Sequence, residues 1–223
     1  MPETRFASRP PSRAPEFDAA FRERFRDLLA WRRDVRHFRP DPLPAGLLER
    51  LLDLASLSPS VGLSQPWRFV IVKSAARRAR IKENFTQCNA EALAAQPQER
   101  AARYARLKLA GLDEAPCHVA VFADRHTSQG HGLGRHTMPQ MIEYSAVMAT
   151  YTLWLLARAQ GVGLGWVSIL DPGKVASILD VPETWTFIGY LCIGYPSAED
   201  DVPELERAGW EQRRISPGCL LER

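Results

Sequence analysis

Gly161-Val162-Gly163-Leu164-Gly165-Trp166-Val167-Ser168-Ile169-Leu170 is the stretch on which the fold turns. Its glycines alternate, but they do not make the G-x-G-x-x-G dinucleotide fingerprint, and no helix N-terminus follows in the register that a pyrophosphate needs. A doubly wound nucleotide-binding sheet is therefore disfavoured. The spacing predicts instead that glycine ends a preceding helix and that a strand then passes close to something flat. Behind the strand, Asp171 and Pro172 fit the N-cap and first position of a short helix reaching Leu179.

Upstream lies the longest apolar segment, residues 139–160, with Met148, Tyr151, Leu155 and Leu156. Being apolar nearly all round, it predicts a helix buried centrally or in a subunit interface. Downstream, residues 186–194 read as a strand closed by Tyr195-Pro196. Two more buried strands are expected, Arg68-Phe69-Val70-Ile71-Val72 and Cys117-His118-Val119-Ala120-Val121-Phe122-Ala123, from their length and β-branching. Before them, Phe17, Phe21, Phe25, Leu28 and Leu29 recur at helical spacing up to Trp31. Leu47, Leu48, Leu51, Leu52 and Ala55 do so again after Pro44. Residues 75–113 predict helices broken around Gln96-Pro97-Gln98, either plain surface or a lid over a site. Four strands separated by helices make a layered α+β domain whose strand order stays open. It spans residues 16–197, after a flexible proline-rich tail (1–15) and before an extended arm (198–223) that is acidic and then basic at Arg213-Arg214.

The 29 basic and 26 acidic side chains nearly balance, and no lysine stripe interleaves with aromatics, so nucleic acid is not an expected partner. No segment is long and apolar enough for a bilayer, and residues 1–15 lack the apolar core of a signal peptide. Cys88, Cys117, Cys192 and Cys219 are scattered without C-x-x-C spacing, which argues against zinc or a disulfide framework and fits a reducing cytoplasm. His126, His131 and His136 stand five apart on a glycine-rich loop with no ligand pattern, so no metal is expected.

Chemistry concentrates in Arg32-Arg33-Asp34-Val35-Arg36-His37-Phe38. Three arginines around one carboxylate present planar, permanently charged forks suited to phosphate. Close positive charge would keep Asp34 ionised, while burial would push the other way. A turn rich in small hydroxyls, Ser58-Pro59-Ser60-Val61-Gly62-Leu63-Ser64-Gln65-Pro66-Trp67, leads into the first strand.

Taken in order, the arginine cluster, this turn, Gly132-Leu133-Gly134-Arg135, the G-x-G-x-G-W-x-S strand and the closing Ile193-Gly194-Tyr195-Pro196 resemble the flavin-dependent nitroreductase family from about Phe25 to Pro196. The resemblance implies a nitroreductase-like three-layer α+β fold, a central mixed β-sheet flanked by helices. It also implies a homodimer with FMN at the subunit interface. Arg32, Arg33 and Arg36 would grip phosphate and the polar edge of the flavin, with Asp34 and Val35 beside the ring. Ser60, Ser64 and Gln65 would bond the ring edge or ribityl chain. Ser168 would face the reactive ring positions, while Leu107 and Leu109 of a lid would cover the flavin. Asp34 and Ser168 are the expected catalytic pair. Ordinary family members often carry Asn where this chain has Leu63, so hydrogen bonding there must differ.

Within the family, the likeness is to members for which reduced FMN is substrate rather than recycled cofactor. Molecular oxygen cleaves it to 5,6-dimethylbenzimidazole, the lower ligand of cobalamin, and D-erythrose 4-phosphate. Reduced FMN would come from a separate flavin reductase or from NAD(P)H. Two other readings compete: a conventional FMN-dependent NAD(P)H nitroreductase or quinone reductase, and a flavin-storage protein.

Overall fold

The computed structural model describes residues 14–105, 107, 110–214 and 222. The expected tail therefore lies almost wholly outside the described residues. Four strands, β1 (Trp67–Ile71), β2 (Cys117–Asp124), β3 (Gly163–Val167) and β4 (Trp185–Gly194), form one sheet in the order β1-β2-β4-β3. Every pairing between them is antiparallel. The parallel component of the expected mixed sheet is a single bridge, Asp34 to Leu164.

Eight helices are described: α1 (Ala19–Trp31), α2 (Leu47–Ala55), α3 (Ala75–Ala94), α4 (Gln98–Tyr104), α5 (Gly111–Glu114), α6 (Met141–Ala159), α7 (Pro172–Leu179) and α8 (Glu204–Arg207). Local chemistry sets their ends. The carboxylates of Asp18 and Asp171 accept the N–H groups of Phe21 at 2.7 Å and Lys174 at 3.0 Å, and Pro172 occupies the first turn of α7. Proline at 97 separates α3 from α4, as the sequence predicts.

Strand periodicity divides the core into two layers. Ala120, Phe122, Tyr190 and Cys192 face α3, α5 and α7, packing with Ile81, Leu112, Val175 and Ile178. Val119, Val121, Leu191 and Ile193 face α2 and α6, meeting Leu48, Leu51, Leu153 and Ala157. Both faces are covered, which is why β2 and β4 read as continuous rather than alternating apolar runs. Each large aliphatic side chain so buried contributes roughly 1.5–3 kcal/mol. Truncating fully buried Leu153 to alanine would cost about 2–5 kcal/mol through the lost contacts and the cavity.

Two helices are incompletely covered. On α6, Ile142, Ala146, Ala149 and Leu153 are buried, yet Tyr144, Val147 and Tyr151 form an exposed stripe. Helix α1 buries no residue; at its surface Phe21 stacks on Phe25, and Phe17 meets Phe21 at a tilt. The C-terminal segment is not simply extended: it contains α8, and Arg158 of α6 ties it down through a two-pronged bond to Glu199 at 2.9 and 2.8 Å.

Candidate active site

Strand β3 has β4 on one side, and on the other it receives the chain just after α1. The Val35 amide donates to the Leu164 carbonyl at 3.1 Å, and the Trp166 amide donates to Asp34 Oδ1 at 2.9 Å. The alternating glycines permit this crossing. A Cβ on Gly165 would lie 2.1 Å from the Val35 carbonyl oxygen, and one on Gly163 would strike the Val35 side chain at 2.7 Å. The close approach expected beside this strand is made in part by the chain's own peptide at Val35. Phe38 then turns into the core, its amide donating to Glu114 Oε2 at 2.8 Å.

Asp34 sits deep in the fold at the foot of an open cleft, with its side chain still 37% exposed. Burial raises its pKa, outweighing the Trp166 amide bond and the Arg36 guanidinium 3.6 Å from Oδ2, both of which favour the ionised form. Of the two influences expected on this carboxylate, burial is the larger. Ser168, one residue past the end of β3, is exposed.

The arginines are gathered but not saturated. The Arg32 guanidinium lies over the Trp154 ring at 4.6 Å, and Arg33 reaches the Arg32 and Asp201 carbonyls. Burial, then the charges of Arg213 and Arg32, lower the pKa of Arg33. Among the described residues Arg32 Nε and Arg33 Nε are buried without a partner. Asp34, Arg36, Ser197, Asp200 and Glu204 line a cleft of about 240 Å³, beside a second of about 140 Å³ reached by Arg32, Arg33 and Arg213. Val35 borders the first cleft but is also packed against the core.

The hydroxyl turn lies elsewhere. Ser60 Oγ accepts the Gln65 amide at 3.0 Å, and Gln65 Oε1 accepts from Gln129 at 3.0 Å. Ser64 is buried with its hydroxyl unpartnered. The positive φ angles of Leu63 (56°) and Gln65 (41°) hold a tight turn against the loop after β2. This turn precedes β1, at the sheet end where β3 finishes, but β1 and β3 are the outer strands. Three strand spacings, about 14 Å, separate them. One protomer therefore brings Arg32, Arg33, Asp34, Val35, Arg36 and Ser168 to one edge, and Ser60, Ser64 and Gln65 to the other.

Near the lid segment, Tyr104 donates to Asn89 at 2.9 Å and meets Trp210 edge-on at 6.1 Å. Leu107 is half-buried, and Leu109 lies outside the described residues. Among the described residues no three His, Cys, Asp or Glu side chains are placed to hold a metal ion, and no helix is long and apolar enough to cross a membrane.

Sequence reasoning missed Trp154. Its indole N–H donates to the Arg33 carbonyl at 3.1 Å while its face carries Arg32. No local motif announces a contact between residues so far apart in the chain.

The donor set suits the chemical groups that FMN carries. Unpartnered buried guanidinium nitrogens beside an open cleft suit phosphate, and a free buried hydroxyl suits a polar ring edge.

The sequence pattern of the nitroreductase family matches residues 29–195. A 5,6-dimethylbenzimidazole synthase of Rhodospirillum rubrum is 59% identical over 203 residues, covering 91% of this chain and 96% of that protein. One from Rhodobacter capsulatus is 47% identical over 196 residues, covering 88% and 95%. Among solved structures, an iodotyrosine deiodinase bound to FMN and 3-iodo-L-tyrosine superposes with a TM-score of 0.66 at 22% identity, covering 78% of this chain and 91% of that one. By family pattern and relatives alike, the chain belongs to the nitroreductase family.

Proposed function

We propose that this chain is an oxidoreductase that cleaves reduced FMN with molecular oxygen, yielding 5,6-dimethylbenzimidazole and D-erythrose 4-phosphate, with the pyrimidine part of the flavin ring leaving as a separate fragment. The observation that carries it is Asp34: a carboxyl of raised pKa, oriented by the Trp166 amide, beside under-satisfied arginines. Two relatives that cover most of the chain carry the name 5,6-dimethylbenzimidazole synthase, which supports the reading. Bound reduced FMN supplies both the electrons and the carbon skeleton of the product.

The residues then divide the work. Arg32, Arg33 and Arg36 hold the phosphate and polar edge through charge-assisted bonds. Asp34 Oδ1 is fixed by Trp166, leaving Oδ2 to take and return protons, and its raised pKa brings it nearer the working pH. Ser168 offers a hydroxyl just past the end of β3. Leu107, half-buried in the lid segment, would help to exclude water from the reacting ring.

Two copies complete the site. About 240 Å³ is less than the roughly 300 Å³ from which ligand pockets usually begin, and the two halves of the ligand set lie at opposite sheet edges. The exposed stripe Tyr144, Val147 and Tyr151, with Phe21 and Phe25 of α1, supports burial against a second protomer. A homodimer would place the Ser60, Ser64 and Gln65 turn of one copy against the arginines of the other. Reduced FMN reaches it from a separate flavin reductase or from NAD(P)H, in a reducing cytoplasm that suits the free Cys88, Cys117 and Cys192.

The test uses purified protein, chemically reduced FMN and air in the dark, following flavin absorbance and separating products. Loss of flavin colour in step with 5,6-dimethylbenzimidazole is the expected result. Full return of the yellow colour would instead indicate a conventional FMN reductase.

A further inference from the structure

Arg68 and Arg158 show how this fold ordinarily satisfies an arginine. The first pairs with Asp124 at 2.8 Å and the second with Glu199, so both charges are neutralised. Arg32 is treated differently. Among the described residues it has no carboxylate partner; its guanidinium rests over the Trp154 ring at 4.6 Å, with Tyr151 at 5.9 Å. An aromatic face holds a cation without cancelling its charge. The same indole donates its N–H to the Arg33 carbonyl at 3.1 Å, fixing the peptide that leads into Asp34. Trp154 is itself held against Trp166, ring centroids 6.3 Å apart, and the Trp166 amide is the one that orients Asp34.

We propose that Trp154 is a positioning residue that presents Arg32 and Arg33, still fully charged, to the phosphate of the flavin. The proposal rests on the flavin reading above. An arginine side chain carries much rotamer entropy, which a free guanidinium would lose on meeting its ligand. Stacked on Trp154, Arg32 has already lost much of it. A carboxylate could pre-order the side chain as well, but it would compete with phosphate for the same donors.

The experiment compares equilibrium binding of oxidised FMN with that of riboflavin, which lacks the phosphate, by flavin fluorescence. Wild type should prefer FMN. In Trp154→Leu, which removes both ring and N–H, FMN affinity should fall about tenfold while riboflavin stays within about twofold. Trp154→Phe keeps an aromatic face and loses only the N–H bond, so its loss on FMN should be about threefold. Equal weakening of both flavins, or an unchanged FMN-to-riboflavin ratio, overturns the proposal. Should Trp154→Leu not fold, Trp154→Phe decides, and an unchanged ratio in it has the same meaning. A wild type that does not distinguish the two flavins removes the phosphate role of the arginines, and this proposal with it. A wild type that does distinguish them, alongside variants that do so equally, removes only the role of Trp154.

Discussion

The β3 edge and the centre of β2 and β4 both place polar groups inside the same sheet, and they treat them oppositely. In the centre, His118 and Tyr190 are buried and mutually bonded at 3.0 Å, and His118 Nε2 meets the Ala115 carbonyl at 3.1 Å. A carbonyl only accepts, so Nε2 carries the proton and the Tyr190 hydroxyl donates to Nδ1. Burial holds these groups neutral: it lowers the His118 pKa to about 4, raises that of Tyr190, and pushes Cys192 up to about 12. At the edge, Arg32 and Arg33 stay charged, each with its Nε donor unspent among the described residues. Satisfied neutral groups build the fold, whereas unsatisfied charged ones wait for a ligand. The regions also touch electrostatically, since the Asp34 charge adds to burial in raising Cys192.

Asp34→Asn breaks the contrast most severely. The amide is nearly isosteric and keeps the acceptor for the Trp166 N–H, but it cannot exchange a proton as a carboxylate does. Product formation should fall by about 10²–10⁴, the usual worth of a positioned acid–base group, while FMN remains bound. Stability should move the other way. A carboxyl whose folded pKa is raised destabilises the fold at pH above its unfolded value, so the neutral variant should melt higher at pH 7. Normal product yield from Asp34→Asn would take the carboxylate out of the mechanism, and a lower melting temperature would contradict its buried strain.

Acid tests the centre. The folded pKa of His118 is depressed to about 4 from an ordinary value of 6.5, so the unfolded chain takes up the proton first as pH falls. The contribution of this residue is fully present above pH 6.5 and is lost progressively down to about pH 4, by about 3 kcal/mol in all. Asp34 acts with the opposite sign in acid, so denaturant melts are best compared in the Asp34→Asn background. A flat stability profile between pH 6.5 and 4 would mean that the imidazole is not held neutral.

What was legible in the sequence follows from the range of each interaction. The caps at Asp171 and Pro172, the break at Pro97 and the four strands are local, and composition within ten residues announces them. The arginine cluster was equally visible, because its members are adjacent. Strand order was not, since antiparallel closure of β3 on β4 depends on contacts that no periodicity encodes. The glycines of β3 were correctly read as a place of close approach, but the approaching group, Val35, stands more than a hundred residues upstream. Trp154 escaped for the same reason. Its helix was recognised as apolar on every side, and that pattern gave no sign that one ring carries a charge.

Gly165→Ala sharpens the boundary between the two regions. Its Cβ would lie 2.1 Å from the Val35 carbonyl oxygen, with backbone on both sides, so the crossing segment must lift from β3. Such overpacking costs about 2 kcal/mol. Lifting also strains the Val35–Leu164 and Trp166–Asp34 bonds, so flavin affinity should fall together with stability. A stability loss with unchanged FMN binding would show that the edge tolerates displacement, and that its ligand groups are less tightly positioned than their bonding suggests.

Tyr190→Phe is the mildest change and the cleanest comparison, because it deletes a single oxygen from the satisfied region. His118 Nδ1 then keeps its lone pair without a donor, in a site that admits no water from outside: both residues are essentially fully buried. Leaving one buried acceptor unpaired costs about 1 kcal/mol or somewhat more, against the small loss of a net hydrogen bond. The ring itself remains, so its packing with Phe38 and Cys192 in the core is kept, and the β3 edge should not respond. The expected outcome is a lowered urea midpoint with unchanged slope, and FMN binding equal to that of wild type. A variant that unfolds at the wild-type midpoint would show that the hydroxyl bond contributes nothing. One that loses FMN affinity would show that the two regions are coupled through Cys192 and Asp34 rather than separate.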